Sequence, residues 1–333
     1  MGLGSVEELL SFAATMESHF KPPRKRLIKG KWREIDALYP RPKKLLRRLH
    51  RFLQRRFRPH PAVHGGAIGR SCFSSARCHL RKRFVVTRDV SNCYPSICTE
   101  NLCAYLSNMG FAKAVAELLA HLMTVRGRVP QGSPISADAL NLLLQDADQE
   151  IASIAGRLGL SYSRTYDDMI LSGNDPQQNA YAASLLESVI AAHGLEVNKK
   201  KVKKNGYQPH SREQLVHGLV VNTGMGVRVN KEYRERARLK AESYVRAARV
   251  VSADSIRGVA KKRQIVVGHL QHCRQAAFSP ARHIHRCVKT GDRLVERRLA
   301  SLGLAAHRLN WWLMSVKNNN PSRIAALWTR IEQ

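Results

Sequence analysis

Apolar positions along the chain alternate between a helical and a strand-like period. Residues 6–18 read as a short amphipathic helix, and residues 43–57 (KKLLRRLHRFLQRRF) set Leu45, Leu46, Leu49, Phe52, Leu53 and Phe57 at helical spacing with arginines opposite. Between them KPPRKRLIKGKWREI is basic, punctuated by Pro and Gly, and ends in strand-like alternation. RPHPAVHGGAIGRS breaks the second helix and reads as a loop. RFVVTRDV (83–90) reads as a strand ending in an acid, and residues 99–108 and 112–125 as helices. VPQGSPIS (129–136) reads as a loop whose Ser136 is predicted to cap one long apolar helix reaching about Gly156. LSYSRTYDDMILSG (160–173) predicts two β arms around a tight turn at Tyr166-Asp167-Asp168. A helix at 176–193, the segment LEVNKKKVKKNG and a strand QLVHGLVV (214–221) follow. From Val229 to Gln333 the pattern is helical and dense in Lys and Arg, which sets a domain boundary near residue 228.

Charge changes the picture more than composition does. The 333 residues suffice for two or three modules with their own cores, and 44% apolar content excludes a largely disordered chain. Against 25 Asp and Glu stand 56 Lys and Arg, a formal net charge of +31. Such an excess repels itself unless a polyanion lies against it, and its spread over the whole chain points to nucleic acid rather than a membrane surface. No segment approaches the roughly 18–20 apolar residues that span a bilayer. Glu7 and Glu8 stand where a secretory signal needs positive charge, and Met1-Gly2 matches an acylation start only loosely. Seven cysteines without a CxxC pair suit reduced thiols. The expectation is a cytoplasmic, polyanion-binding protein with no membrane partner.

In so basic a chain, acids at predicted strand ends carry the candidate chemistry. Asp89 closes one strand, and Asp167 and Asp168 sit together at a turn. Should the two β segments be neighbours, three carboxylates meet and repel one another unless one keeps a proton or a hard divalent cation joins them. Two such ions about 3.5–4 Å apart clamp an attacking hydroxyl and a leaving pyrophosphate. An isolated Asp-Asp pair at a turn is more often a solvated turn.

Context raises the signal. From about Lys29 to Asn222 the chain resembles bacterial reverse transcriptases, the retron type above all. RDVSNCYPSI (88–97) resembles the first palm motif, VPQGSPISADALNLL (129–143) the Pro-Gln-Gly loop and helix, YSRTYDDMILSG (162–173) the catalytic hairpin, GLEVNKKKVKK (194–204) the lysine-bearing segment, and KGKWREI (29–35) the fingers strand. The resemblance implies Asp89, Asp167, Asp168 and the Val90 carbonyl as ligands of two Mg²⁺ ions, with Mn²⁺ as a substitute. It implies Lys31 and Arg33 on the triphosphate of an incoming deoxynucleotide, where permanent charge is needed, and Tyr94 under its sugar as a gate against the 2′-hydroxyl. Gln131 and Gly132 let backbone approach the nucleotide, and Lys201 is a phosphate contact or the acid that protonates pyrophosphate. Plain alternatives remain: surface charge for Lys31 and Arg33, strand-end packing for Tyr94, a simple turn for Pro-Gln-Gly.

Two stretches resemble features of the retron type. VHGGAIGRSCFSSARCHL (63–80) resembles its region ending in Asn-Ala-x-x-His, with Ser75 for Asn and with Ala76 and His79 matching. VHGLVVN (216–222) resembles its Val-Thr-Gly strand, Val216-His217-Gly218 carrying His for Thr. Ala76, His79, Val216, His217 and Gly218 are thereby candidate RNA contacts. The hairpin departs as well: Thr165-Tyr166-Asp167-Asp168 sets the ring beside the metal ligands instead of one residue earlier.

The basic C-terminal third reads as a helical thumb in which Arg234, Arg238, Lys240 and Arg246 contact phosphates. Tyr233, Tyr244, Trp311 and Trp312 are candidates for base stacking, although such residues are more often core. HLQHC and HIHRC match no common zinc spacing. The expected fold is α+β, a right-hand polymerase with fingers (1–83, residues 111–130 contributing), a palm of antiparallel sheet and helices (84–227) and a helical basic thumb (228–333). The resemblance implies copying of a cognate structured noncoding RNA into single-stranded DNA, primed from an RNA 2′-hydroxyl, with an effector protein encoded nearby and a role in antiphage defence. Another domesticated reverse transcriptase with different priming, or a catalytically silent nucleic-acid scaffold, remains compatible with the sequence. A two-metal nuclease would leave the Pro-Gln-Gly loop and Arg33 without purpose.

Overall fold

A computed structural model describes residues 5–28, 31–252, 255–277 and 279–301, without the side chains of residues 28, 31, 33, 203–205 and 299. The chain divides into two compact units between His217 and Gly218.

The first unit opens with α1 (Val6–Ala14), capped by the Ser5 hydroxyl, which accepts from the Glu8 N–H at 3.2 Å. A hairpin of β1 (Arg24–Ile28) and β2 (Lys31–Ile35) leads to α2 (Pro40–Arg56), whose Leu45, Leu46, Leu49 and Leu53 are buried as the spacing predicts. Next come α3 (Cys72–Arg77), β3 (Phe84–Asp89), α4 (Thr99–Asn108) and α5 (Lys113–Met123). The predicted long apolar helix is two, α6 (Ser136–Leu143) and α7 (Gln145–Arg157), parted at Leu144. Ser136 does not cap: its hydroxyl donates instead to the Pro130 carbonyl at 2.7 Å, folding the Pro-Gln-Gly loop onto the helix start. The acidic hairpin is β4 (Ser161–Thr165) and β5 (Asp168–Gly173), so Asp168 belongs to the strand and the turn is Tyr166-Asp167. The unit ends with α8 (Pro176–Ala192), α9 (Lys199–Asn205), β6 (Tyr207–Pro209) and β7 (Leu215–Val216).

Strand order β4-β5-β3-β6 is antiparallel throughout. Register and pleat sort the residues of its three principal strands onto two faces. One face carries Tyr162, Arg164, Met169, Leu171 and Val86, covered by α7 and α8 in the main apolar core. The other carries Ser163, Thr165, Asp168, Ile170, Ser172, Thr87 and Asp89, with α3 against β4.

The second unit holds β8 (Leu219–Val220) paired with β9 (Arg228–Val229), then α10 (Lys231–Arg249), α11 (Ile256–Arg274) and α12 (Ala281–Ser301). The predicted strand 214–221 is thus interrupted, since His217 and Gly218 both take positive φ. The division also falls before the expected boundary near 228. The β8–β9 segment is apolar in sequence yet bonds to the helical part, the Ala277 N–H donating to the Val227 carbonyl at 2.8 Å. Tyr244 is core: its hydroxyl donates to Asp292 at 2.5 Å, and Arg263 grips the same carboxylate with two bonds of 2.7 Å. These antiparallel sheets and helices are the α+β class that the sequence predicts for a right-hand polymerase.

Candidate metal centre

Asp89 ends β3 and Asp168 begins β5, and the two are direct cross-strand partners. The Val90 N–H donates to the Asp167 carbonyl at 3.0 Å, drawing the third acid in from the turn. One oxygen from each of Asp89, Asp167 and Asp168 lies within 4.8 Å of the others, the only such group of potential metal ligands among the described residues. The convergence expected from two strand ends is therefore present. The histidines and cysteines of HLQHC and HIHRC form no such group; His269 and His272 pack instead against the Tyr233 ring.

Burial raises the Asp89 carboxyl, with Lys201 opposing and Asp168 adding to the rise. Asp167 is raised by burial and by its two acidic neighbours. Burial acts on Asp168 in the same direction, but His217 and Lys201 outweigh it and hold that carboxyl below its ordinary value. The Lys201 ammonium is ion-paired with Asp89 and lies 3.9 Å from Asp168, so a cation already stands among the acids. Asn198 fastens this segment: its N–H donates to the Asp89 carbonyl at 2.7 Å, its amide approaches the Asp89 carboxylate at 3.4 Å, and its side chain caps α9. Three crowded carboxylates, one drawn to an ammonium, are a donor set that suits hard divalent cations.

The turn that presents Asp167 is held from the opposite face. Tyr166 adopts φ 56°, a conformation that a two-residue hairpin normally gives to glycine. Arg164, fully buried, donates from Nε and Nη2 to Asp148 at 2.8 and 2.6 Å and from Nη1 to the Tyr166 carbonyl at 3.0 Å. The Tyr162 hydroxyl donates to Asp148 at 2.8 Å. The loop that breaks α2 runs along β4: the Arg164 N–H donates to Ala62 O at 2.8 Å and the His64 N–H to Arg164 O at 2.7 Å. At Gly65 a Cβ would stand 2.3 Å from the Tyr166 nitrogen, so only glycine admits this approach.

A cavity of about 380 Å³ opens beside the acids, lined by Asp89, Val90, Tyr94, Gln131, Asp167 and Lys201 among others. Tyr94 and Gln131 also line a neighbouring cavity of about 850 Å³ with Gly132, His64, Arg70 and Tyr166. Asp36 organises the Pro-Gln-Gly loop: buried, paired with Arg126 at 2.5 Å, it accepts the Gln131 N–H at 3.2 Å. A Cβ on Gly132 (φ 120°) would meet the Asp36 carbonyl at 3.1 Å. The side chains of Lys31 and Arg33 lie outside the described residues, as do Trp311 and Trp312.

The candidate RNA contacts divide. Ala76, His79 and Val216 are buried and not available for contact in this fold. His79 is engaged by Ser172 and Ser163 at 2.7 Å each, and Gly218 is exposed. His217 is turned inward, hydrogen-bonded to Ser75 at 3.0 Å and 3.7 Å from Asp168. On α10 Arg238, Lys240 and Arg246 are exposed, Arg234 half-buried. Asp36, Asn198 and the Asp148–Arg164 pair were missed in sequence. An acid directly after the basic strand motif is the one available signal for Asp36, and an Asn ahead of the lysine-rich segment the signal for the cap at Asn198; the Asp148–Arg164 pair depends on tertiary packing.

Residues 21–213, more than half of the chain, match the family model "Reverse transcriptase (RNA-dependent DNA polymerase)". The chain is 32% identical over 184 residues to the retron Se72 reverse transcriptase of Salmonella heidelberg, covering 54% of this chain and 48% of that protein. It is 30% identical over 232 residues to the retron Mx65 reverse transcriptase of Myxococcus xanthus, covering 64% and 54%. The chain spans about half the length of the curated relatives it matches. Among solved structures, telomerase from Candida albicans aligns at a TM-score of 0.44 with 12% identity, over 89% of this chain and 66% of that one.

Proposed function

This chain belongs to the reverse transcriptase family, with retron-type enzymes as its curated relatives, and from that premise we propose that it is an RNA-directed DNA polymerase of the retron type. The observation that carries this reading is the meeting of Asp89, Asp167 and Asp168 within 4.8 Å beside a cavity. Those carboxylates, with the Val90 carbonyl, would hold two Mg²⁺ ions, or Mn²⁺ in their stead. Bound there, such ions would activate the attacking hydroxyl and neutralise the leaving pyrophosphate.

The chain's own residues do the rest. Tyr94, beside the acids, bounds the sugar pocket and selects deoxynucleoside triphosphates by shape. Gln131 and Gly132, braced by Asp36, bring backbone close to the nucleotide. Lys31 and Arg33 hold the triphosphate, and Lys201 leaves Asp89 for a phosphate oxygen or for the pyrophosphate it protonates. Residues 1–83 with 111–130 act as fingers, 84–227 as palm and 228–333 as thumb. Arg234, Arg238, Lys240 and Arg246 track phosphates with little base reading.

The substrate is part of a cognate structured noncoding RNA, copied into single-stranded DNA from an RNA 2′-hydroxyl to leave a branched hybrid. The setting is cytoplasmic antiphage defence beside an effector protein.

The test is DNA synthesis with Mg²⁺ and four deoxynucleotides on the nucleic acid that co-purifies with the protein. Asp167→Asn is expected to abolish synthesis while RNA binding persists, and the product is expected to carry an RNA–DNA link sensitive to debranching. RNA binding without synthesis by the unaltered protein would instead favour a silent scaffold, and an unbranched product another kind of reverse transcriptase.

A further inference from the structure

The cavity beside the acids carries charges that the metal ligands leave unassigned. Among the described residues its charged lining is Glu34, Asp36, Asp89, Asp167, Arg128 and Lys201. Lys201 is ion-paired with Asp89. Arg128 ends a tight turn: the Val125 N–H donates to its carbonyl at 2.8 Å, and its own N–H donates to the Val125 carbonyl at 3.1 Å. Arg126 and Gly127, between them, take φ 51° and 72°, the two left-handed positions of a two-residue hairpin turn. The next residue is tied as well, the Val129 N–H donating to the Ile97 carbonyl at 3.0 Å. The backbone that presents Arg128 to the cavity is therefore fixed.

The turn offers two arginines to two acids at the end of β2, and the pairs are unlike. Arg126 meets Asp36 at 2.5 Å, and the Asp36 side chain is 3% exposed. That pair braces the Pro-Gln-Gly loop, because Asp36 also accepts the Gln131 N–H and would be a stranded buried charge without Arg126. Arg128 Nη2 donates to Glu34 at 2.6 Å, with side chains 36% and 40% exposed. A pair so open to water contributes little to stability, so bracing gives no reason for setting it in the cavity. A guanidinium presents five N–H donors in a planar fork that fits phosphate oxygens two at a time. Charge-assisted bonds of that bidentate kind are among the strongest a side chain makes.

We propose that Arg128 is a further ligand of the incoming nucleotide's triphosphate and that Glu34 is its internal competitor. The proposal rests on the reading of Asp89 and Asp167 as metal ligands that receive a triphosphate in this cavity. When the nucleotide enters, the guanidinium exchanges one carboxylate for phosphate oxygens, which carry more charge and accept both prongs of the fork. Glu34 has two effects at once. It keeps the guanidinium at the cavity wall, and it sets the affinity below what Arg128 alone would give. The two partners of one ion pair therefore act on nucleotide binding with opposite sign. A strap that only held β2 to the turn would make both losses harmful.

The test is calorimetric titration of the full-length protein with Mg²⁺ and inorganic tripolyphosphate, at about 0.15 M salt so that contacts with exposed charges elsewhere are screened. Arg128→Ala is expected to weaken binding about 10–100-fold, and Arg128→Lys by less, since the charge stays while the fork is lost. Glu34→Gln is expected to tighten binding about threefold, and to lose most of that gain when combined with Arg128→Ala. Glu34→Gln and Arg128→Lys are conservative changes at half-exposed positions, so they decide the matter even should Arg128→Ala not fold. Unchanged affinity in the Arg128 variants, or weaker binding in Glu34→Gln, would overturn the proposal. So would an equal gain from Glu34→Gln with and without Arg128, which plain charge in the cavity explains. In DNA synthesis, Arg128→Ala is expected to raise KM alike for all four deoxynucleotides; a rise for one base alone would make Arg128 a base reader instead. Absence of synthesis by the unaltered protein would sink the polymerase reading, and the calorimetric signs at Arg128 and Glu34 would still decide this one.

Discussion

The two faces of the central sheet hold the same acidic turn by opposite means. On the α7–α8 side one ion pair does it: Arg164 reaches Asp148 with a two-pronged grip and spends its third nitrogen on the Tyr166 carbonyl, sealed in the apolar core. On the α3 side the Lys201 ammonium pairs with Asp89 and stands 3.9 Å from Asp168, while the buried Ser172, His79, Ser163 and Ser75 form a file of hydrogen bonds that reaches His217 beside Asp168. The first arrangement is strong but rigid, since a buried charge left without its partner is intolerable. The second rests largely on hydrogen bonds between hydroxyls and imidazoles, each weaker than a charge-assisted pair. One face therefore fixes where the turn is, and the other surrounds its acids with a cation and polar side chains.

The contrast breaks most visibly at the ion pair. Asp148→Ala leaves the Arg164 guanidinium buried and unpaired and is expected to cost about 3–5 kcal/mol, read as a fall in urea midpoint. The double variant Asp148→Leu/Arg164→Met is expected to recover much of that loss, since it strands no charge; a double variant as unstable as the single one would count against the lock.

Acid distinguishes the faces next. His79 and His64 are pulled down by burial to about 3 and about 4 from 6.5. Both are neutral in the fold while the unfolded chain protonates them below about 6.5. Their contribution is full above that pH and is lost as pH falls from 6.5 toward 4 and 3. Asp138, raised by burial to about 6 despite His50, has the opposite sign: its contribution is full below 3.8 and fades as pH rises through 6. Thermal melts across pH 3–7 are expected to lose stability on the acid side, and His79→Gln to flatten that slope. An unchanged slope would mean that the file does not govern the acid response.

The smallest effect lies at the turn itself. Tyr166→Gly relieves a left-handed side-chain residue and is expected to stabilise the unit by about 1 kcal/mol in thermal melts, the steric relief of 1–2 kcal/mol being partly offset by glycine's entropy. A destabilised variant would mean that the ring's packing beside Gly65 and Gly66 outweighs the strain.

Much of this is legible in the sequence alone. The α2 face, both arms of the acidic hairpin and the meeting of Asp89 with Asp167 and Asp168 follow from local periodicity and from acids at strand ends. The segment after the Pro-Gln-Gly loop reads as one long helix because nothing in its apolar pattern marks Leu144 as a break. Ser136 reads as a cap until its hydroxyl finds Pro130. His79 resembles a contact residue in sequence, and only burial against Ser163 and Ser172 makes it part of the interior.

What the chain's order alone determined was charge, periodicity and the chemistry of short motifs, because these depend on neighbours a few positions apart. Which side chains meet across long separations was decided by tertiary structure: Ser75 with His217, Asp148 with Arg164, Asn198 with Asp89. A hydrogen bond or ion pair depends on distances of a few ångströms and on the exclusion of water, and strand register and helix docking create both only when the chain is folded.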